Sequence, residues 1–360
     1  MVRIHLWPRA EARYQGDNAV TKSVLVTGSA GFIGGYVVEE LLRKGYRVVG
    51  LDNFSKYGPV HKSYDLDPNY ELIEGDAQDR ELMDSLTSRV DIVIAGAAMI
   101  GGISYFHTFA YDLLATNERI IASTCDSAIR AHQKGTLERV VFLSSSMVFE
   151  STDRWPSAEG DELRIPPPLS SYGFQKLAVE YFARAAHMQY GLPYTICRPF
   201  NCVGIGEGRA LTDVDVKSGN ISLAMSHVVP DLVQKLVKGQ RPLHILGDGN
   251  QIRHYTYGGD LARGIVMAME SPDAVNEDFN LSTATSTTVL ELAELIWSKI
   301  LKDEPFSYVS DPPFEYDVQK RIPDVSKAKK ILGFSADTSL ELMLDEVIPW
   351  VTTAADNGLL

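Results

Sequence analysis

Cysteine is scarce in this 360-residue chain, which has three, Cys125, Cys197 and Cys202, with no metal-ligand spacing. That sets aside a disulfide-stapled secreted scaffold and a thiolate metal site, and the odd count reads as reduced and cytoplasmic. Basic residues are also short: 34 Lys and Arg stand against 47 Asp and Glu, a net charge of −13. Such a balance argues against nucleic acid or an anionic membrane as partner, while leaving room for a local basic pocket that holds a phosphate. No apolar run reaches membrane-spanning length. Residues 1–22 carry Trp7-Pro8-Arg9 and Glu11 but no apolar h-region, so they do not read as a secretory signal. They read as a loosely held arm, with a packing or dimer-contact arm as the alternative. Internal repeats and low-complexity segments are absent.

What is present is ordinary globular material, 45% hydrophobic and 22% charged, in a chain long enough for two lobes. Ser23-Val24-Leu25-Val26-Thr27 is a β-branched apolar run and reads as a buried strand. It leads into Gly28-Ser29-Ala30-Gly31-Phe32-Ile33-Gly34, then a helical pattern from Tyr36 to Lys44 closed by Gly45. Strand, glycine turn, helix is the context a dinucleotide fingerprint requires. Glycine lets backbone approach a pyrophosphate, and the helix N-terminus offers N–H donors. A second strand, Tyr46 to Leu51, ends in Asp52, eighteen residues after Gly34. A carboxylate there accepts hydrogen bonds from an adenosine ribose and repels a 2′-phosphate, which favours NAD over NADP. A plain turn aspartate in Asp52-Asn53 is the alternative.

Further strands are expected at Tyr70–Glu74, Asp91–Ala98, Arg139–Leu143 and Tyr194–Asn201. Strands alternating with helices predict an α/β, doubly wound parallel sheet of Rossmann type. Ligands bind such sheets at the carboxyl ends of the strands. Gly28, Asp52, Asp76-Ala77, Ala97-Ala98 and Ser144-Ser145-Ser146 all fall at such ends.

Tyr172 and Lys176 stand four apart, on one face of an expected helix. A tyrosine base must lose roughly 3 pKa units, about 4 kcal/mol, to ionise near neutrality. A lysine ammonium about 4 Å away supplies about that much at a near-surface dielectric, and a cationic nicotinamide pushes the same way. The plain alternative is a half-buried tyrosine beside a solvated lysine.

Six segments in order carry a resemblance. They are Thr27-Gly28-x-x-Gly31-x-x-Gly34, Ser144-Ser145-Ser146-Met147-Val148-Phe149, Tyr172-x-x-x-Lys176, Arg198-Pro199-Phe200-Asn201, Gly247-Asp248-Gly249-Asn250-Gln251-Ile252-Arg253, and Arg321-x-x-Asp324 with Ser326-Lys327-Ala328. From about Val24 to Val351 the chain resembles the extended short-chain dehydrogenase/reductase family, in its nucleotide-sugar epimerase and dehydratase branch. The resemblance implies bound NAD and a nucleoside diphosphate sugar. It implies that Tyr172 takes the sugar hydroxyl proton, Lys176 lowers the Tyr172 pKa and holds the nicotinamide ribose, and Ser145 hydrogen-bonds the reacting hydroxyl. It implies cofactor contacts from Gly28, Gly31, Phe32, Ile33 and Gly34, from Asp52, Asn53, Asp76 and Ala77, and from Ala97, Ala98, Asn117, Ser144, Tyr172, Lys176 and Pro199. On the substrate side it implies Gly102, Ser145, Ser146, Tyr172, Asn201, Val229 and Asp324, with Arg253 and Arg321 gripping the diphosphate.

Most branches of this family begin by oxidising the sugar at C4. Dehydratases and decarboxylases usually add an acidic residue where this chain has Met147, and many dehydratases have Asp where it has Ser146. A 4-epimerase needs no further acid, so that reaction is expected, with a UDP-sugar favoured. Ala97 to Ile103 is similar to the Gly-Gly segment of GDP-mannose 3,5-epimerases, but the proton-transfer groups of those enzymes are missing at Met147 and before Pro230. His107 and His227 are the possible substitutes. A non-catalytic dinucleotide-binding protein is the reading from another class, and the intact Ser145, Tyr172 and Lys176 speak against it.

The expected division is an arm at 1–21, a cofactor lobe at 22–202 with 251–281, and a substrate lobe at 203–250 with 282–360. The 203–225 stretch, long and polar, is expected to cover the substrate. Helices around Asn117–Ala131 and after Tyr172 have outer apolar faces, which in this family form a dimer bundle, so a homodimer is expected. No metal is expected.

Overall fold

The computed structural model describes residues 21–101, 108–207, 217–222, 227–313 and 318–357. Of the sequence-based expectations, Gly102, His107, nearly all of the N-terminal arm and most of the 203–225 stretch lie outside the described residues.

Seven strands build the central sheet: β1 (Ser23–Thr27), β2 (Arg47–Asp52), β3 (Tyr70–Glu74), β4 (Ile92–Ala95), β5 (Arg139–Leu143), β6 (Tyr194–Pro199) and β7 (Glu277–Leu281). Their spatial order is β7-β6-β5-β4-β1-β2-β3, and every neighbouring pair is parallel. The chain reverses its winding at β1, between β2 and β4, so a crevice opens there at the carboxyl ends.

β4 stops at Ala95, three residues short of the expected Ala98. The Thr27 Oγ1 at the end of β1 accepts from the Gly96 and Ala97 N–H groups, both at 3.1 Å, and draws that backbone out of the ladder. Helix α1 (Phe32–Arg43) begins earlier than its apolar pattern, directly after the glycine turn. Next come α2 (Arg80–Thr87), α3 (Ala110–Gln133) and α4 (Ser171–Tyr190). Ser170 caps α4 by accepting from the Gly173 N–H at 3.0 Å, and Gly191, at φ 73°, ends it.

Further helices are α5 (Val228–Val237), α6 (Gly258–Glu270), α7 (Val289–Ile300), α8 (Ser326–Leu332) and α9 (Leu340–Asp356). One face of the sheet packs Val24, Val26 and Ile94 against Val37, Leu41 and Ile265 of α1 and α6. The other packs Leu25, Val93 and Phe142 against Ile121, Ala128, Val179 and Ala183 of α3 and α4. Each fully buried Val or Leu side chain contributes about 1.5–3 kcal/mol. A separate core joins α5, α7 and α9 through Leu232, Leu236, Leu292, Ile296, Leu344 and Val347. The three cysteines are free and buried. Among the described residues no helix is long and apolar enough to cross a membrane.

Candidate active site

A cavity of about 660 Å³ opens over the carboxyl ends of the strands. It gathers Gly28, Gly31, Phe32, Ile33 and Gly34 from the glycine turn and Asp52, Asn53, Asp76 and Ala77 from the ends of β2 and β3. Ala97 and Ala98 follow β4, Ser144, Ser145 and Ser146 follow β5, and Tyr172 and Lys176 come from α4. Pro199, Asn201, Arg253 and Arg321 complete the expected set that the cavity brings together.

The glycine turn is tight for a physical reason. Gly28 sits at φ 75°, and a Cβ there would lie 3.0 Å from the Ala97 Cα. A Cβ on Gly34 would lie 2.0 Å from the Gly28 carbonyl oxygen. No side chain caps the N-terminus of α1, so its first N–H groups remain available to an anion in the cavity. Asp52 braces the turn: one carboxylate oxygen accepts from the Ala30 N–H at 3.0 Å and the other from the Phe54 N–H at 2.9 Å. A carboxylate has about four acceptor positions, so Asp52 keeps capacity for a ribose.

On the α4 side of the cavity, Tyr172 and Lys176 are buried on the inner face of the helix. Burial pushes the Tyr172 hydroxyl above its ordinary pKa, while a hydrogen bond with Ser145 and the charge of Arg321 act in the opposite direction. Lys176 Nζ donates to the Leu143 carbonyl at 3.0 Å and lies 5.9 Å from the Tyr172 ring centroid. Burial lowers the Lys176 pKa to about 8. The expected fall in the Tyr172 pKa therefore does not come from this environment by itself, because burial outweighs it. Ser145 Oγ also accepts from the Met147 N–H at 3.2 Å, which fixes the turn that follows β5.

Ser144 Oγ donates to Glu180 Oε1 at 2.7 Å. Glu180 is one helical turn beyond Lys176, so Tyr172, Lys176 and Glu180 share one face of α4. Its carboxylate grips Arg198 of β6 at 2.7 and 2.6 Å.

Three expected contacts are placed elsewhere. Asn117 is buried on α3 and does not line the cavity; its amide accepts from the Met99 N–H at 2.7 Å and donates to the Met99 carbonyl at 2.9 Å. It shapes the cavity through the Met99 backbone. Val229 is packed in the second core. Asp324 accepts from the Ser326 N–H at 2.8 Å at the start of α8 and is not among the residues that line the cavity.

Sequence reading also missed cavity residues. Lys56 and Tyr57, on the turn after Asp52, line it, as do Asp231 and Lys235 of α5. The first pair left no signal in a loop pattern. The second left a faint one: two opposite charges one turn apart within a helix that is apolar apart from them and Gln234.

Residues 24–282 match the NAD dependent epimerase/dehydratase family. The chain is 31% identical over 340 residues to a UDP-N-acetyl-alpha-D-glucosaminuronate decarboxylase of Bacillus cytotoxicus, covering 91% of this chain and 97% of that protein. It is 30% identical over 364 residues to UDP-glucose 4-epimerase 3 of Oryza sativa subsp. japonica, covering 93% and 91%. Among solved structures it is similar to the UDP-glucose 4-epimerase of Thermotoga maritima with UDP-glucose, at 30% identity, a TM-score of 0.76, and coverage of 92% and 99%. The tight glycine turn, the uncapped α1 N-terminus and Asp52 fit the NAD of that family. The chain belongs to the NAD dependent epimerase/dehydratase family, the nucleotide-sugar branch of the extended short-chain dehydrogenases/reductases.

Proposed function

We propose that the chain is an NAD-dependent nucleotide-sugar 4-epimerase. One observation carries the reading: Ser145, Tyr172 and Lys176 line one cavity, and the residue beside them at the extra-acid position is Met147, a buried thioether that cannot transfer protons. Bound NAD supplies a hydride acceptor that can later give the hydride back. Tyr172 accepts the proton of the sugar C4 hydroxyl while Ser145 holds that hydroxyl. Lys176 keeps positive charge behind Tyr172. The 4-keto sugar turns and presents its other face for return of the hydride to C4, and Tyr172 gives its proton back to the C4 oxygen. Arg253 and Arg321 hold the diphosphate, with Asn201 beside them; Arg321 donates to Asn201 Oδ1 at 3.5 Å. A UDP-sugar is favoured, since UDP-glucose is the ligand named with the Thermotoga maritima structure.

His227 favours a second reading. It lines the cavity, and its Nδ1 lies 2.6 Å from the buried Glu207 carboxylate, the orienting pattern of a proton-transfer histidine. Carbon deprotonation and 3,5-epimerisation would use such a group. The test is turnover of a nucleotide-sugar panel in D2O with mass and proton NMR readout. An isomeric product without carbon-bound deuterium is expected. Deuterium on carbon would transfer the reading to carbanion chemistry through His227. Loss of water or carbon dioxide would end the argument from Met147.

We also assign residues 22–202 with 251–281 to a cofactor lobe, and 203–250 with 282–360 to a substrate lobe. The assembly we propose is a homodimer. Tyr111 of α3 and Phe174, Tyr181 and Met188 of α4 are exposed, Met188 at 83%, and α3 packs along α4. Light scattering at micromolar concentration should return twice the chain mass of 39.8 kDa, and a monomer would end that assignment.

A further inference from the structure

Helix α5 forms part of the cavity wall and belongs to the second core. Most of its inward residues are aliphatic, as a core helix requires. Asp231, Gln234 and Lys235 break the pattern, and of these the charged two line the cavity. They are 7% and 1% exposed and form an ion pair at 2.9 Å. Lys235 Nζ also donates to the His244 carbonyl at 3.0 Å, which leaves the third of its ammonium hydrogens. Asp231 Oδ2 faces the lysine, while its buried Oδ1 has no hydrogen-bond partner among the described residues. Burial pushes the Asp231 carboxyl up and Lys235 draws it back.

A buried ion pair is a costly way to fill a core, because each charge gives up its hydration. An orphan carboxylate oxygen adds to that cost unless something donates to it. In the cavity as read above, the cofactor takes the strand ends and the two arginines take the diphosphate. The wall of α5, with Leu246 and Val289, is what remains for the base.

We infer that the Asp231–Lys235 pair reads the pairing edge of the nucleobase and selects a keto–imino edge over an amino edge. The inference rests on the nucleotide-sugar reading of the cavity. Uracil presents a carbonyl oxygen next to a ring N–H. The lysine ammonium donates to the first and Asp231 Oδ1 accepts from the second. Guanine presents the same adjacent pattern. Cytosine presents an amino group next to a bare ring nitrogen, so its donor meets the ammonium and its acceptor meets the carboxylate. Both contacts are then wrong, and both protein groups stay buried without partners.

UDP and CDP differ at that edge and match nearly everywhere else, which makes them the probe. Calorimetric titration of the NAD-loaded protein should give UDP an affinity about tenfold to a hundredfold above CDP. Asp231→Asn, whose amide can turn either donor or acceptor to the base, should narrow the ratio severalfold, leaving only the mismatch between the cytosine amino group and the Lys235 ammonium. Equal binding of UDP and CDP by the unaltered protein would overturn the inference while leaving the nucleotide-sugar reading in place. A UDP:CDP ratio unchanged in Asp231→Asn would overturn it too. Binding of neither diphosphate would overturn the cavity reading and this inference together. Should the variant fail to fold, the ratio in the unaltered protein still decides.

Discussion

Tyr172→Phe is expected to lower turnover about a thousandfold, within the usual range for losing a positioned general base. The variant removes one oxygen and little else. The ring packs among Leu113 and Met147, and that contact survives. The protein should therefore fold, retain NAD and bind nucleotide sugar with an affinity close to the original. A variant within tenfold of the unaltered rate would end the catalytic assignment. The pH dependence carries a second signature. Lys176 has its pKa lowered to about 8 by burial, so it is an ammonium below that pH and loses its charge above it. Tyr172 is raised by burial, so its ionised form depends on positive charge nearby. Turnover should fall on the alkaline side, with an apparent midpoint near pH 8, as the lysine deprotonates. Adding nucleotide sugar to the enzyme while following nicotinamide absorbance, across pH and in both forms, reads the oxidation step directly.

The sheet and the placing of Tyr172 and Lys176 on one cavity wall were legible in sequence because each rests on a local pattern. A β-branched run ending in the Gly28 turn has few alternatives, and Tyr172 with Lys176 needs only a helix to meet one face. The misses arose where tertiary contacts overrule the local pattern. Strand β7 carries Asp278 and Asn280, and no apolar run announces it. Asn280 is fully buried because its amide donates to the Ser157 and Asp324 carbonyls, and its N–H donates to Glu159. Asp278 forms ion pairs with Arg198 and Lys327. Partners more than 40 residues away make a polar segment a strand at the sheet edge. Asn117 shows the converse. Its position near the cofactor crevice was readable, but its amide is committed to the Met99 backbone, which spacing alone does not reveal.

Glu180→Gln should cost about 3–5 kcal/mol of stability, the scale for removing one partner of a fully buried ion pair. The Glu180 and Arg198 side chains are both 0% exposed. Arg198 also meets Glu162 at 3.0 Å and Asp278 at 2.7 Å, and Arg184 of the following helical turn meets Glu180 at 3.2 Å. Burial by itself would discharge Arg198, but the surrounding carboxylates win and hold its pKa above the ordinary value. The charges are thus interdependent, and removing one leaves others buried with poorer compensation. Denaturant unfolding should show a lower midpoint with an unchanged slope. Adding Arg198→Met should deepen the loss rather than recover it, because Glu162 and Asp278 then lose the cation they share with Glu180. A single variant losing under about 1 kcal/mol would show the network to be expendable. The consequence reaches the cavity because Glu180 fixes both Ser144, through a 2.7 Å hydrogen bond, and the helix face that carries Tyr172 and Lys176. Loosening it shifts the angle at which Tyr172 meets the sugar hydroxyl. Turnover should therefore fall even below the unfolding transition, with the fall in kcat exceeding any rise in KM, because orientation counts in the transition state and little in binding.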